Sequence, residues 1–187
     1  MLEIRIHGRG GQGAVLASQI LGYAFFLQGV YSQSFPTFGA ERRGAPVAAF
    51  VRVNSNFIHL RSPVQSPNHV LVLSPKLAET VDVASGLQPE GILLINSHLE
   101  SEQYAHLKQN CRVLAMNISQ IALEHGLGSR NMPLVNAPIL GAFAAISQAV
   151  SLDALHKALP KFIPARVQAN AKALQEAFQQ AQTIKAN

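Results

Sequence analysis

The feature that most constrains the fold is a glycine-rich segment, GRGGQG at residues 8–13, which we call the glycine turn. It follows residues 2–7, whose alternation of apolar and polar side chains predicts a short strand. It precedes residues 14–28, an apolar helical pattern that ends at Gly29, as expected for a helix terminus. Residues 30–35 then predict a second strand. A strand, a glycine turn, a helix and a strand in this order are typical of a βαβ unit.

Further along the chain, strand patterns alternate with helical patterns. The predicted strands are 47–53, 57–60, 69–74, 91–96 and 112–116. The predicted helices are 75–85, 100–109, 117–125, 138–150, 152–159 and 165–183. Residues 54–56, Asn-Ser-Asn, predict a turn that joins the first two strands into a hairpin. We therefore expect an α/β, Rossmann-like fold with a mostly parallel sheet, helices on both faces and an inserted antiparallel hairpin near residues 47–60.

Neither an internal repeat nor a low-complexity linker divides the 187 residues. We expect one domain over residues 1–187, with the helices of residues 134–187 packed on that domain or on a partner. Two uncharged stretches, 10–40 and 131–152, are interrupted by polar residues, glycine or proline. Neither offers the roughly 20 apolar residues of a spanning helix, so we expect no membrane span.

The single cysteine, Cys111, excludes an intrachain disulfide, a cysteine-rich zinc site and an iron–sulfur cluster built on this chain alone. It fits a reducing cytoplasm. Charge is uneven, since residues 1–61 contain six arginines and two glutamates. This excess predicts an anionic partner, either a phosphate-bearing cofactor or an acidic protein surface, although a solvated surface explains it too. Basic and aromatic residues are not interleaved, which disfavours nucleic acid.

The glycine turn satisfies the G-x-G-x-x-G pattern between a strand and a helix. Glycines let a phosphate approach the backbone, and the helix N-terminus offers unpaired N–H groups and a partial positive charge. An NAD site also requires an acidic residue near the end of the second strand, and none lies between Glu3 and Glu41. The turn therefore predicts an anion-binding site, and a tight turn that binds nothing is the alternative.

A second motif is FGAERRGAP at residues 38–46, which we call the arginine loop. Arg42 and Arg43 can make forked contacts with phosphate or carboxylate groups, although one of them can instead pair with Glu41. Common nucleophile, nucleotide and zinc motifs are missing, and the seven histidines show no metal-ligand spacing, so we expect no catalytic residue and no metal ligand. The candidate ligand-binding residues are Gly8, Arg9, Gly10, Gly11, Gln12, Gly13, Arg42 and Arg43.

The two motifs at this spacing resemble the gamma subunit, or gamma domain, of the 2-oxoacid:ferredoxin oxidoreductases. Residues 96–99, Asn136 before a glycine-containing apolar helix, and Asn170 also fit that family. The resemblance extends from residue 3 to about residue 178, and the ERRGAP form of the loop is more similar to the pyruvate and branched-chain oxoacid members than to the 2-oxoglutarate members.

The resemblance implies that this chain is a subunit without the catalytic centre and is inactive alone. It implies alpha and beta subunits with thiamine diphosphate and Mg²⁺, and a delta subunit with iron–sulfur clusters that pass electrons to ferredoxin. Coenzyme A would collect the acyl group, and this chain, which binds no cofactor alone, would help to form the coenzyme A side of the site.

In the mechanism that we expect, the glycine turn with Arg9 binds one phosphate of coenzyme A and Arg42 or Arg43 binds another, while Gln12 orients a neighbouring group. Two alternatives stay open. One is a free-standing NADP- or flavin-binding oxidoreductase with Arg42 or Arg43 on a 2′-phosphate. The other is an assembly module that binds no ligand.

Overall fold

A computed structural model of the protein describes residues 1–37, 44–107 and 111–186, and within them six strands form the main sheet. The strands are β1 (Leu2–Arg9), β2 (Tyr31–Pro36), β3 (Pro46–Asn54), β4 (His69–Val72), β5 (Ile92–Asn96) and β6 (Arg112–Met116). Their order across the sheet is β2-β3-β1-β4-β5-β6. Only β3 runs antiparallel to its neighbours, so the expectation of a mostly parallel sheet is confirmed.

Helices cover both faces of the sheet, as expected. The α-helices are α1 (Ala14–Leu27), α2 (Pro75–Thr80), α3 (Ile118–Glu124), α4 (Pro138–Ser147), α5 (Leu152–Phe162) and α6 (Val167–Ala186). A 3-10 helix spans Ser101–Leu107. The larger apolar core joins one face of the sheet to α1, α3, α4, α5 and α6. A smaller core joins the other face of β4, β5 and β6 to α2 and the 3-10 helix.

The antiparallel element differs in detail from the expectation. Residues 57–60 are not a strand, and β3 pairs instead with β2 on one side and β1 on the other. The segment is held by side chains of the sheet, because Gln33 donates to the carbonyl of Ile58 at 2.8 Å and Arg52 to that of Leu60 at 3.4 Å. Strands β1 and β2, which α1 connects, are parallel to each other, but β3 lies between them in the sheet. The antiparallel hairpin is therefore β2–β3.

Helix α2 ends at Thr80, five residues before the predicted end at residue 85. Beyond this end, Nη2 of the buried Arg5 donates to the carbonyls of Val83 and Ser85, which ties the segment to β1. A small hairpin, β7 (Gly128–Ser129) and β8 (Met132–Pro133), was not predicted from the sequence.

The C-terminal helices pack into the same core as the sheet. Helix α4 is buried along almost its whole length, and α6 lies directly against it. At their crossing, a Cβ on Gly141 would overlap the carbonyl oxygen of Leu174. The glycine therefore permits the backbone-to-backbone approach of α4 and α6. Among the described helices, none is long and apolar enough to span a bilayer.

Candidate functional site

The glycine turn lies at the carboxyl end of β1, between β1 and the N-terminus of α1. Strand β1 is central, with antiparallel β3 on one side and parallel β4 on the other. In open α/β sheets, ligands bind outside the carboxyl ends of the strands, where the direction of the connections changes. The fold therefore places the glycine turn where such proteins bind ligands.

The turn requires glycine for two physical reasons. Gly11 and Gly13 have φ values of +96° and +79°, in the left-handed region that favours glycine. A Cβ on Gly8 would lie 2.9 Å from the Cβ of Ala14, and one on Gly13 would lie 2.7 Å from Nδ2 of Asn136. Local geometry thus accounts for these three glycines before any ligand is considered.

The structure brings the glycine turn and the described end of the arginine loop together. The N–H of Gly10 donates to the carbonyl of Ala45 at 2.9 Å, and the N–H of Gly44 donates to the carbonyl of Gly10 at 3.1 Å. Nε of Arg9 donates to the carbonyl of Gly44 at 3.1 Å. Arg42 and Arg43 lie outside the described residues, but Arg43 directly precedes Gly44 in the chain. Two motifs separated by about 30 residues therefore form one local structure.

Arg9 and Gln12 are both involved in the structure of the turn. Oε1 of Gln12 accepts from the N–H of Arg9 at 2.8 Å, and the N–H of Gln12 donates to the carbonyl of Arg9 at 2.8 Å. The exposed Arg9 uses its Nε for Gly44, while its terminal NH₂ groups and Nε2 of Gln12 make no hydrogen bond to a described residue. These donors remain for a ligand.

A cavity of about 300 Å³, which we call the ligand groove, lies beside the turn. Its lining residues are Arg9, Gly10, Gln12, Gly44, Asn131 and Met132. Of these described residues none is acidic, and three carry N–H donors on their side chains. Gly13 precedes α1 without a side-chain cap, so the positive end of the helix dipole lies next to the turn. The arrangement suits an anion.

Asn131 and Met132 are groove residues that sequence reasoning missed. They belong to the β7–β8 hairpin, where Gly128 has φ +86° and a Cβ on it would overlap the carbonyl oxygen of Met132. Gly128 and Asn131 are residue types that favour turns, and they were the available sequence signal for this hairpin. Two-residue strands produce too little alternation to be recognised.

His7, next to the turn, does not add positive charge to the site. Its side chain is 8% exposed, and its Nε2 has no hydrogen-bond partner among the described residues. Burial, and to a smaller extent the nearby charge of Arg5, lowers the pKa of His7 to about 4. Burial also lowers the pKa of Arg5 itself. His7 is therefore neutral at neutral pH and acts as a packed strand residue.

A second cavity, of about 410 Å³, lies between α1 and the edge strand β2 and contains none of the predicted site residues. Its lining residues are Gln19, Gly22, Tyr23, Phe26, Ser32, Ser34 and Phe162. Within the described ranges, no group of three or more His, Cys, Asp or Glu side chains could hold a metal ion. Of these two cavities, the ligand groove is the one whose described lining contains sequence-predicted residues, namely Arg9, Gly10 and Gln12.

The chain belongs to the pyruvate ferredoxin/flavodoxin oxidoreductase family, whose model matches residues 3–180. It is 44% identical over 159 residues to the pyruvate synthase subunit PorC of Methanosarcina barkeri, covering 85% of each chain. It is also 44% identical over 161 residues to the pyruvate/ketoisovalerate oxidoreductases common subunit gamma of Pyrococcus abyssi, with the same coverage of each chain.

Solved structures agree with this assignment. The pyruvate oxidoreductase subunit PORC of Thermotoga maritima superposes with a TM-score of 0.79 at 33% identity, over 95% of each chain. The 2-oxoglutarate:ferredoxin oxidoreductase of Magnetococcus marinus gives a TM-score of 0.73 at 20% identity, over 99% of this chain and 31% of that one, which shows the fold alone. The expectation of a gamma subunit of a pyruvate or 2-oxoacid:ferredoxin oxidoreductase, part of a multisubunit enzyme, is confirmed.

Proposed function

We propose that this chain forms the coenzyme A side of the active site in a complex that oxidatively decarboxylates pyruvate to acetyl-coenzyme A. The observation that carries the proposal is the direct hydrogen bonding of Gly10 and Arg9 to residues 44–45, which joins the two arginine-bearing motifs beside one groove. The relatives' names supply pyruvate as the oxoacid. The Magnetococcus relative was solved with coenzyme A and succinyl-CoA bound.

The chemistry of the groove fits the phosphates of coenzyme A. Arginine recognises phosphate through forked, charge-assisted hydrogen bonds, and a glycine turn at a helix N-terminus adds N–H groups and a favourable dipole. In this proposal Arg9 and the glycine turn contact one phosphate, and Arg42 or Arg43 contacts another. Gln12 orients the ligand with its unused Nε2 hydrogens.

The remaining chemistry belongs to partner subunits. With one cysteine and no acidic cluster among its described residues, this chain fits neither an iron–sulfur cluster nor a thiamine diphosphate site with its Mg²⁺. We therefore propose a single domain, residues 1–187, that assembles with alpha, beta and delta subunits in the cytoplasm and supplies ferredoxin with electrons through them.

Steady-state kinetics of the purified complex test the proposal. Arg42→Ala/Arg43→Ala and, separately, Arg9→Ala should raise the KM for coenzyme A about tenfold, because a charge-assisted hydrogen bond is lost. The KM for pyruvate and the subunit composition should stay unchanged.

Arg61→Ala is the matched control. It removes the same charge from an exposed position next to Leu60, which contacts Arg52 beside Glu3 at the opposite end of β1. Arg9 lies six residue steps along the strand from Glu3, or about 20 Å. An unchanged KM for coenzyme A in both arginine variants, in fully assembled complexes, would refute the coenzyme A role.

An assembly module that binds no ligand is the second candidate, favoured by the hydrogen bonds through which Arg9 and Gln12 hold the turn. It predicts that Arg9→Ala releases this subunit from the complex during gel filtration. It also predicts that coenzyme A kinetics stay normal in whatever complex remains.

A further inference from the structure

We propose that the outer edge of β2 is a docking surface for another subunit of the oxidoreductase, which adds an extended segment bearing apolar side chains and carboxylates. The inference rests on membership of a multisubunit enzyme and is independent of the coenzyme A role. It gives a function to the second cavity, of about 410 Å³, which lies beside this edge and which we call the aromatic groove.

Strand β2 leaves main-chain hydrogen-bonding groups unpaired at one end of the sheet. In the register of the β2–β3 pair, the N–H of Thr37 donates to the carbonyl of Ala48 at 2.8 Å. Successive residues of an antiparallel strand direct their N–H and C=O groups alternately toward the neighbouring strand and away from it. Ser32 and Ser34 therefore direct these groups away from β3, and no described strand pairs with that side. The edge is open to a further strand.

The sequence of β2 lacks the features that protect the edges of sheets. Those features are charged side chains, proline, bulges or a covering segment. Residues 31–35 include no charged residue, and proline occurs only at the last position of the strand. At the opposite edge, β6 begins with Arg112, and the N–H of Ala115 donates to Oγ of Ser101 in the 3-10 helix at 2.9 Å. The contrast indicates that β2 is covered in the assembled enzyme.

Aromatic side chains flank the open edge on both faces of the sheet. On the face that carries α1, Tyr23, Phe26 and Phe162 line the aromatic groove. On the other face, the ring centroids of Tyr31 and Phe57 lie 5.9 Å apart. Phe26, Tyr31 and Phe57 are 59%, 52% and 63% exposed. Because an added strand sends alternate side chains to the two faces, its apolar residues would meet aromatic rings on each of them.

The charges around this surface favour an acidic partner over a second copy of the chain. Neither α1 nor β2 contains a charged residue, and no described residue that lines the groove is acidic. The exposed Lys161 places its ammonium 3.9 Å from the ring centroid of Tyr23 and forms no ion pair with a described residue. Two copies with a net charge of +5 each would repel one another, whereas carboxylates of a partner would pair with Lys161.

Cross-linking of the purified complex with a carbodiimide tests the chemistry of the partner. The reagent joins a lysine amine to a carboxylate that contacts it, with loss of water. Mass spectrometry should find Lys161 joined to an aspartate or glutamate of another subunit, in a segment that also carries apolar side chains. Lys161→Arg keeps the charge but cannot be coupled, so it should remove this cross-link and leave the complex assembled.

The rate at which this subunit leaves the purified complex tests the open edge. Exchange against an excess of labelled wild-type chain measures it. Ser34→Pro removes an N–H that points away from β3, so it should raise the rate about tenfold. Ser34→Ala keeps that N–H and should stay close to the wild type. Phe26→Ser should also raise the rate about tenfold, whereas Ile184→Ser, at a 38% exposed position on α6, should not.

The outcomes separate this inference from the proposed function. A Lys161 cross-link to a second copy of this chain, or none to another subunit, would overturn the acidic partner. A wild-type exchange rate in Ser34→Pro would overturn strand addition. If urea unfolding shows that the proline variant does not fold, the rate of Phe26→Ser decides instead, and a wild-type rate there overturns the inference. None of these results changes the KM for coenzyme A that Arg9→Ala tests in the assembled complex.

Discussion

The backbone of Gly13 lies so close to the carboxamide of Asn136 that a Cβ on residue 13 would come within 2.7 Å of Nδ2. Gly13 directly precedes α1, and Asn136 lies two residues before the start of α4. The two residues are 123 positions apart in the chain. This contact joins the glycine turn to the most deeply buried helix of the core. A change in the turn therefore acts on the stability of the whole chain.

Gly13→Ala should lower the free energy of unfolding by about 3 kcal/mol, because it adds backbone strain at φ +79° and a steric overlap with Asn136. Urea unfolding of the purified chain measures this. Gly11→Ala is the control, since Gly11 has φ +96° but no atom within 4 Å of its Cβ position. It should cost only about 1 kcal/mol. Equal losses in the two variants would contradict the role of Asn136.

Gly141→Ala should destabilise the chain by about 3 kcal/mol or more, because the new methyl group would overlap the carbonyl oxygen of Leu174 and separate α4 from α6. Thermal unfolding followed by circular dichroism measures the loss. Gly22→Ala, in α1, is the matched helical glycine. Its Cβ would lie 3.3 Å from Ser34 Cβ, and the gain in helix propensity offsets this contact to within about 1 kcal/mol.

His7 should make stability fall in acid. Its pKa is about 4 in the folded chain, against the ordinary histidine value of 6.5, so the unfolded chain binds the proton first as the pH falls. The folded state therefore loses about 3 kcal/mol between pH 7 and pH 4 through this residue alone. His7→Gln should remove that part of the slope in urea unfolding at several pH values.

Because burial also lowers the pKa of His69, the wild-type curve contains both contributions, and the difference between wild type and His7→Gln isolates one. The exposed His59→Gln serves as the control. Identical pH slopes for His7→Gln and the wild type would contradict the burial of a neutral imidazole at this position.

The ion pair between Arg52 and Glu3 should contribute far more than a surface pair of the same length. Both it and the Lys157–Asp153 pair have N–O distances of 2.7 Å, but the side chains of Arg52 and Glu3 are 2% and 17% exposed, against 65% and 71%. Arg52→Met leaves a largely buried carboxylate without its partner and should cost about 3 kcal/mol.

Lys157→Met should change the free energy of unfolding by less than about 0.5 kcal/mol, since solvent screens an exposed pair. The double variant Glu3→Gln/Arg52→Met should recover at least half of the loss, because no charge is left buried. A double variant that is less stable than Arg52→Met would show that the pair matters for another reason than charge burial.

Much of the fold could be predicted because local patterns were strong. Strand β6 was predicted with its observed bounds, and α1 to within a residue of its end. The hairpin predicted at residues 47–60 failed in its second strand because β1 and β2 occupy the two sides of β3, and Gln33 and Arg52 bind the carbonyls of residues 58 and 60. Strand pairing between distant segments thus replaced the pairing that the local pattern predicts.

The motifs of the candidate site could also be predicted from the sequence, but their contact in space could not. Glycine content and position in the sequence identified the turn, and a charge count identified the arginine loop. Whether the two motifs meet depends on the order of strands in the sheet. Because β3 lies next to β1 and begins at residue 46, Gly44 and Ala45 lie at the carboxyl end of β1.

By itself the sequence determined the α/β class and the strand–turn–helix unit, because these follow from short-range periodicity. Only the tertiary structure decided that β3 separates β1 from β2, that Asn136 packs on Gly13, and that a hairpin near residue 130 faces Arg9. These arrangements depend on which long-range contacts bury apolar surface and satisfy backbone hydrogen bonds together. Residues from the whole chain decide which of these contacts form, so the pattern of a short segment cannot predict them.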